Sequence, residues 1–162
     1  MKIWRNILMG GLVCVLLTAC FPAAPAPTAT PTPAMSTSEE YVTAAWNAYN
    51  ASRYSEAIDL AQGCIDLWEK DALEQQSALT AAPGNAKVSE AEKQQIFTNW
   101  AINDVGTAYF IMAASLEKLD KTTEAKQAYL KVADFPYARC WDPQGWFWSP
   151  AEEAGKRASR LP

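Results

Sequence analysis

The chain has 162 residues, 49% of them hydrophobic, with 14 basic and 18 acidic residues and a formal net charge of −4. This length allows one compact domain beside any targeting segment, and the negative charge argues against nucleic acid as a partner. The sequence contains no histidine, which excludes the serine–histidine and cysteine–histidine routes to an activated nucleophile and the commonest metal ligand. Without a CxxC motif either, we expect no metal, no cofactor and no enzymatic activity.

The residue composition favours helix over sheet. The chain is rich in Ala, Glu, Gln, Lys and Leu, has 7 Gly, and contains no run in which valine or isoleucine alternates with polar residues. The five abundant types favour helix, whereas alternation is the pattern of a half-buried strand. We therefore predict an all-α domain.

The first twenty residues have the pattern of an export signal. A short basic start precedes an apolar run from Ile7 to Leu17, which is shorter than the ~20 residues that span a bilayer. The run ends in the sequence LTAC, which resembles the lipobox of bacterial lipoproteins. The resemblance implies a signal peptide over residues 1–19 and an acylated Cys20 that anchors the chain to a lipid membrane. An uncleaved anchor and ordinary signal-peptide cleavage nearby are the alternatives.

Residues 20–38 comprise this cysteine and a segment rich in Pro, Ala and Thr. Repeated proline favours an extended polyproline II spacer of ~3 Å per residue, so we expect a tether; a proline-motif ligand is the alternative. Phe21, rather than Asp, follows the lipidated cysteine, and in proteobacterial lipoproteins this favours the outer membrane. We therefore expect a lipid-anchored protein of the bacterial cell envelope, on the periplasmic face of the outer membrane if the source has one.

The helical domain is predicted over residues 39–162, beginning with a hairpin of two helices. The first spans Glu39–Asn50, after either of two overlapping capping boxes at residues 36–40, and the second runs from Tyr54 to about Leu79. A third helix begins after Ser89 and either continues into Gly106 or kinks there.

Residues 106–136 predict a second helical hairpin. Apolar side chains recur there at three- and four-residue spacing on both sides of a polar turn at Leu119–Thr122. This turn is too short for anything other than two antiparallel helices.

Both hairpins resemble tetratricopeptide repeats. The likeness rests on small and aromatic residues at characteristic positions, namely Ala45, Tyr54, Ala57 and Cys64 in the first unit and Ala113, Ala125, Tyr129 and Pro136 in the second. The resemblance implies a short α-solenoid whose concave face binds another protein or a peptide. The side chains that this face would offer are Asn47, Asn99, Asn103 and Asp104. For Asn103 and Asp104, a capped helix break at Gly106 is the alternative.

A tryptophan-rich segment follows the second hairpin. Trp141, Trp146, Phe147 and Trp148 lie within eight residues, around a predicted turn that begins at Asp142. As a cap, these rings would cover the open end of the last repeat. As a binding surface, they would stack on a sugar or clamp an apolar peptide group, with Asp142 or Gln144 supplying hydrogen bonds. Both roles are compatible if Trp146 and Trp148 point in opposite directions.

The C-terminal end of the chain predicts one more short helix. Ser149 has the position of its N-cap, Pro150 follows as the first helical residue, and the helix extends to about Arg160.

Two cysteines remain after the leader and Cys20 are set aside. In an exported protein, Cys64 and Cys140 could form a disulfide between the first hairpin and the C-terminal segment. The alternative is that Cys64 is a small buried residue where two helices approach closely.

These patterns favour a membrane-anchored protein that binds another envelope protein or peptide and catalyses no reaction. The alternative is a lipoprotein that binds a cell-wall glycan through the segment from Trp141 to Trp148.

Overall fold

The computed structural model describes residues 35–84 and 87–162. Within these ranges it contains α1 (Ser38–Asn50), α2 (Tyr54–Ala78), α3 (Glu90–Thr98), α4 (Trp100–Lys118), α5 (Thr122–Val132), β1 (Cys140–Asp142), β2 (Trp146–Trp148) and α6 (Pro150–Ala158). The prediction of an all-α fold made of helical hairpins is confirmed. The predicted signal peptide, the predicted lipidation site Cys20 and the predicted tether as far as residue 34 lie outside the described residues. None of the helices described is long and apolar enough to cross a membrane.

Side-chain caps set where three of the helices begin. Of the two boxes predicted for α1, the structure forms the one in which Thr37 accepts from the backbone N–H of Glu40 and the Glu40 side chain accepts from Thr37 N–H. Ser89 and Glu92 form the same reciprocal pair before α3, and Ser149 accepts a backbone N–H at the start of α6. Each cap satisfies N–H groups that have no partner inside their own helix.

Helix α4 is the centre of the domain. It contacts α1 and α2 on one side and α5 and α6 on the other. Small residues line its contacts with the first hairpin, where Ala45, Ala57, Ala61, Cys64, Ala101 and Ala108 are all fully buried. Their size lets the helix axes approach closely, so the first hairpin and α4 share one core.

The break between the third and fourth helices falls at Asn99, and α4 continues through Gly106 without interruption. The expectation of a continuous helix or a kink at Gly106 is therefore wrong. Past the break, the Asn103 side chain donates to the backbone oxygen of Ile96, 2.8 Å away, and this carbonyl at the end of α3 also accepts the backbone N–H of Asn99. Gly106 serves packing instead, because a Cβ there would lie only 2.7 Å from the Cβ of Ala138.

The tryptophan-rich segment forms a β-hairpin, which the all-helical prediction did not include. Its strands pair antiparallel, with Cys140 opposite Trp148 and Asp142 opposite Trp146. The predicted turn is present, and Gly145 closes it with a φ of +100°, a conformation that glycine adopts without steric cost.

We expect alanine to have opposite effects at two glycines. Gly106→Ala should lower the free energy of unfolding by about 1–3 kcal/mol, because the added methyl overpacks a contact with another Cβ that cannot rotate away. Gly155→Ala, in α6, meets nothing within 4 Å and should raise it by about 0.5–1 kcal/mol through helix propensity. Urea denaturation of both variants measures this difference. Stabilisation by both substitutions would contradict the close approach at Gly106.

Candidate functional site

A groove of about 800 Å³ lies between α1, α4, the β-hairpin and α6. We call it the hairpin groove. The side chains that define it include Trp46, Asn50, Phe110, Trp146, Trp148 and Lys156. Trp46 and Asn50 come from the first helix of the first hairpin, and Phe110 comes from the first helix of the second. The tryptophan-rich segment and the inner helices, which the sequence offered as separate candidates, therefore meet at one site.

Tryptophan rings form much of the groove surface. Trp148 packs edge-on against Phe110, with 5.0 Å between ring centroids, and Trp46 lies 6.3 Å from the same ring. Trp146 remains 38% exposed. Because alternate residues of a strand share a face, Trp146 and Trp148 both line the groove, and the expectation that they point in opposite directions is wrong.

Trp141 has its ring packed against other aromatics of the domain, although the residue borders the groove. Its ring lies 4.9 Å from that of the buried Phe147 and 6.1 Å from that of Phe97. The ammonium group of Lys93 lies 4.3 Å from the centre of the Trp141 ring, a favourable cation–π geometry. These contacts give Trp141 a structural role in joining the hairpin to α3.

Charged residues of both signs lie along the α6 side of the groove. Glu153 is 3.3 Å from Arg157 and 3.7 Å from Lys156. The Arg157 guanidinium also lies 5.1 Å from the centre of the Phe110 ring, so its position is fixed from two directions. Across the groove, Asp142 accepts a hydrogen bond from the backbone of Gln144. A ligand in the groove therefore meets an aromatic floor and a rim with both charges.

A second groove, of about 620 Å³, contains Asp104. We call it the Asp104 groove. Ser38, at the start of α1, donates its hydroxyl to the Asp104 carboxylate. Burial raises the pKa of Asp104 to about 6 despite this hydrogen bond, and the negative charge of Glu39 adds to the rise.

Asn103, also predicted as a binding residue, is 8% exposed. Its side-chain amide donates to Ile96, and its oxygen accepts the backbone N–H of Arg139 at 2.8 Å. Asn99 occupies the break between α3 and α4, and Asn47 lies exposed on α1. Of the four predicted helix residues, the structure therefore brings Asn103 and Asp104 together at the Asp104 groove, and Asn47 and Asn99 are not among its lining residues. The side chain of Asn103 is committed to internal contacts.

Arg139 is a buried residue that the sequence analysis missed. It is 4% exposed, and its guanidinium donates to the backbone oxygens of Pro83, Pro136 and Ala138. Desolvation lowers the pKa of this arginine, while the three carbonyls satisfy its donors. Arg139 thus joins the loop after α2 to the segment before β1. A lone arginine in a loop carries no sequence signal for this role.

Cys64 and Cys140 are free thiols in the structure, so the disulfide considered as one of two alternatives is not present in it. Cys64 is fully buried, in agreement with the alternative of a small core residue. Burial raises the pKa of Cys64 to about 12 and that of Cys140 to about 11, and the charge of Asp104 contributes to both.

The described residues include no cluster of His, Cys, Asp and Glu that could hold a metal ion. Comparison of the chain with protein-family models, with curated proteins and with solved structures found no significant match.

We expect Asn103 and Asn47 to respond differently to alanine. Asn103→Ala should lower the free energy of unfolding by about 1–3 kcal/mol, because the buried N–H of Arg139 loses its partner, while the carbonyl of Ile96 keeps only the N–H of Asn99. Asn47→Ala, on an exposed surface, should change it by no more than about 0.5 kcal/mol. Chemical denaturation measures both values, and an equal effect of the two substitutions would contradict the structural role of Asn103.

Proposed function

We propose that this chain is a lipid-anchored binding protein of the bacterial cell envelope, in which a tetratricopeptide-like domain holds a segment of another envelope protein. The observation that carries the proposal is the position of the hairpin groove. Its floor is made by Trp46, Asn50 and Phe110 on the inner helices α1 and α4. Tetratricopeptide domains commonly bind peptides on the face made by these helices.

The buried small residues support the tetratricopeptide-like description. Ala45, Ala57 and Cys64 in the first hairpin and Ala113 and Ala125 in the second are all fully buried. These are the positions at which the resemblance requires close helix contact. A third repeat is replaced by the β-hairpin and α6, which cover α4.

The chemistry of the groove suits a peptide with an apolar anchor residue. Partly exposed tryptophans contribute large apolar area for little conformational entropy and are frequent hot spots of interfaces. The paired charges of Glu153, Lys156 and Arg157 form a polar rim. Such charges determine the position of a bound peptide along the groove and contribute less to its affinity.

The anchor in this proposal is the acylated Cys20, followed by the proline-rich tether to residue 38. Both the anchor and the tether are inferred from the sequence pattern. Such a tether would hold the groove at a fixed reach above the membrane surface, which suits a partner in the same membrane or in the adjacent cell wall.

A glycan is the second candidate ligand. The observation in its favour is the strand register, which places Asp142 directly opposite the exposed Trp146. A ring that can stack on a sugar face then lies beside a carboxylate that can accept hydrogen bonds from hydroxyls.

In-cell photo-crosslinking distinguishes the two ligands. A photoreactive phenylalanine analogue, which keeps an aromatic ring at position 146, replaces Asn50 in one strain, Trp146 in a second, and Leu130 of α5, which is 58% exposed and not among the groove residues, in a control strain. We expect one envelope protein to be crosslinked from both groove positions and not from Leu130. Glycan adducts at Trp146 would support the second candidate. Equal products from all three positions would contradict a specific site.

Removal of the exposed ring should separate binding from folding. Trp146→Ala should weaken capture of the crosslinked partner by about tenfold or more, the effect of a central aromatic anchor. Because Trp146 is 38% exposed, its loss should leave the cooperative unfolding transition in place. Pull-down with the identified partner measures the first effect and thermal denaturation the second. Unchanged capture by a folded variant would contradict the role of the groove.

A further inference from the structure

The Asp104 groove combines negative charge with aromatic walls, and it is distinct from the hairpin groove. Three rings line it, those of Trp68, Phe97 and Trp100. Phe97 and Trp100 are each 43% exposed, which is high for large apolar side chains. The charged residues that line it are Glu39 and Asp104, and no lysine or arginine of the described ranges is among its lining residues.

The Asp104 carboxylate is poorly compensated for its degree of burial. It accepts the Ser38 hydroxyl, and no salt bridge between described residues involves it. A partly buried carboxylate without a nearby cation is costly to keep ionised. The raised pKa of Asp104 reflects this cost of ionisation. A cation bound next to the carboxylate would reduce that cost.

We propose that the Asp104 groove binds a small organic cation, an alkylammonium group held between the aromatic rings and the Asp104 carboxylate. Aromatic faces attract such cations through the ring quadrupole, most strongly where water is excluded. The carboxylates of Asp104 and Glu39 supply the opposite charge. Aromatic rings are a known recognition element for quaternary ammonium groups.

Two other ligand classes fit the groove less well. An inorganic divalent cation requires six or more oxygen ligands or a tetrahedral set of nitrogen and sulfur, and the described residues provide no metal-holding cluster. An anion at the N-terminus of α1 would meet Glu39 and Asp104, and the capping box of Thr37 and Glu40 already satisfies N–H groups there.

Ligand-observed NMR of the full-length protein in a maltoside detergent tests this proposal. The probes are tetramethylammonium, choline and the neutral isostere of choline in which carbon replaces the ammonium nitrogen. We expect saturation transfer to both cations and at least about tenfold weaker binding of the isostere, as expected when a charge-assisted contact is lost. Equal binding of choline and its isostere would overturn the proposal.

Substitutions locate the site. Asp104→Asn keeps the shape of the side chain and an acceptor for Ser38, so the fold should persist while choline binding falls about tenfold or more. Trp100→Ala removes a ring that is 43% exposed and should also weaken binding. Leu130→Ala, which removes an exposed apolar side chain of α5, is the control and should have no effect. Unchanged choline binding by both folded groove variants would overturn the proposal.

The pH dependence gives an independent readout. Choline should bind more tightly at pH 8 than at pH 5, because Asp104 is ionised above its pKa of about 6 and neutral below it. The groups facing Asp104 are Ser38 and Glu39 of α1, Cys64 of α2 and Cys140 of β1. Both thiols have raised pKa values and remain neutral over this range. In Asp104→Asn the difference between the two pH values should shrink, and an unchanged difference would overturn the assignment to Asp104.

The source of the cation can be a free amine or the headgroup of a lipid. Glycerophosphocholine, which carries the same ammonium group beside a phosphate, separates the two. If it binds at least as tightly as choline, the ligand is a lipid headgroup, and if only choline and tetramethylammonium bind, it is a free amine. Both results support an ammonium site. Absence of binding by all three would overturn the proposal without affecting the hairpin groove.

Discussion

The burial of α4 is the constraint on which the rest of the domain depends. This helix has neighbours on both sides, and its buried residues belong to both apolar clusters of the domain, with Ala101, Val105 and Ile111 in one and Phe110 and Ala113 in the other. A helix buried nearly all round needs cover from every direction. The two helical hairpins do not cover α4 completely, since α6 and β1 also contact it. The β-hairpin and α6 provide the remaining surface.

This arrangement explains why a groove forms beside the cover. After α5 the chain returns across α4. The absence of a side chain at Gly106 makes room for it there. Hydrogen bonds from the Arg139 guanidinium to backbone carbonyls and from Arg139 N–H to Asn103 then fix its path. The hairpin that follows reaches Phe110 through Trp148 but leaves Trp146 partly exposed. The requirement to cover α4 therefore creates an aromatic surface that is only partly filled.

Local signals in the sequence were sufficient for the helices and insufficient for the sites. The caps at Thr37 and Ser89 depend on neighbours three residues away, so they could be read directly. The break at Asn99 could not be predicted from local sequence, because contacts of Asn103 with other parts of the backbone support it. The pairing of the β-hairpin could not be predicted either, because it depends on packing against α4. The aromatic residues on either side of the Asp142 turn are nevertheless typical of strands. Because alternate side chains of a strand lie on the same face, this signal would have placed Trp146 and Trp148 on one face. The two grooves join residues from distant parts of the chain, which no spacing reveals.

The central claim is that a ligand occupies the hairpin groove in the cell envelope. Hydrogen–deuterium exchange tests it most directly, by comparing the protein in native membranes with the purified protein. Amides of the β-hairpin and of α6 lie at the edge of the groove, whereas those of α4 lie in the core and open mainly with global unfolding. The account predicts slower exchange in Cys140–Trp148 and Pro150–Ala158 in membranes, with α4 unchanged. Equal exchange rates of these two segments in both samples would contradict it.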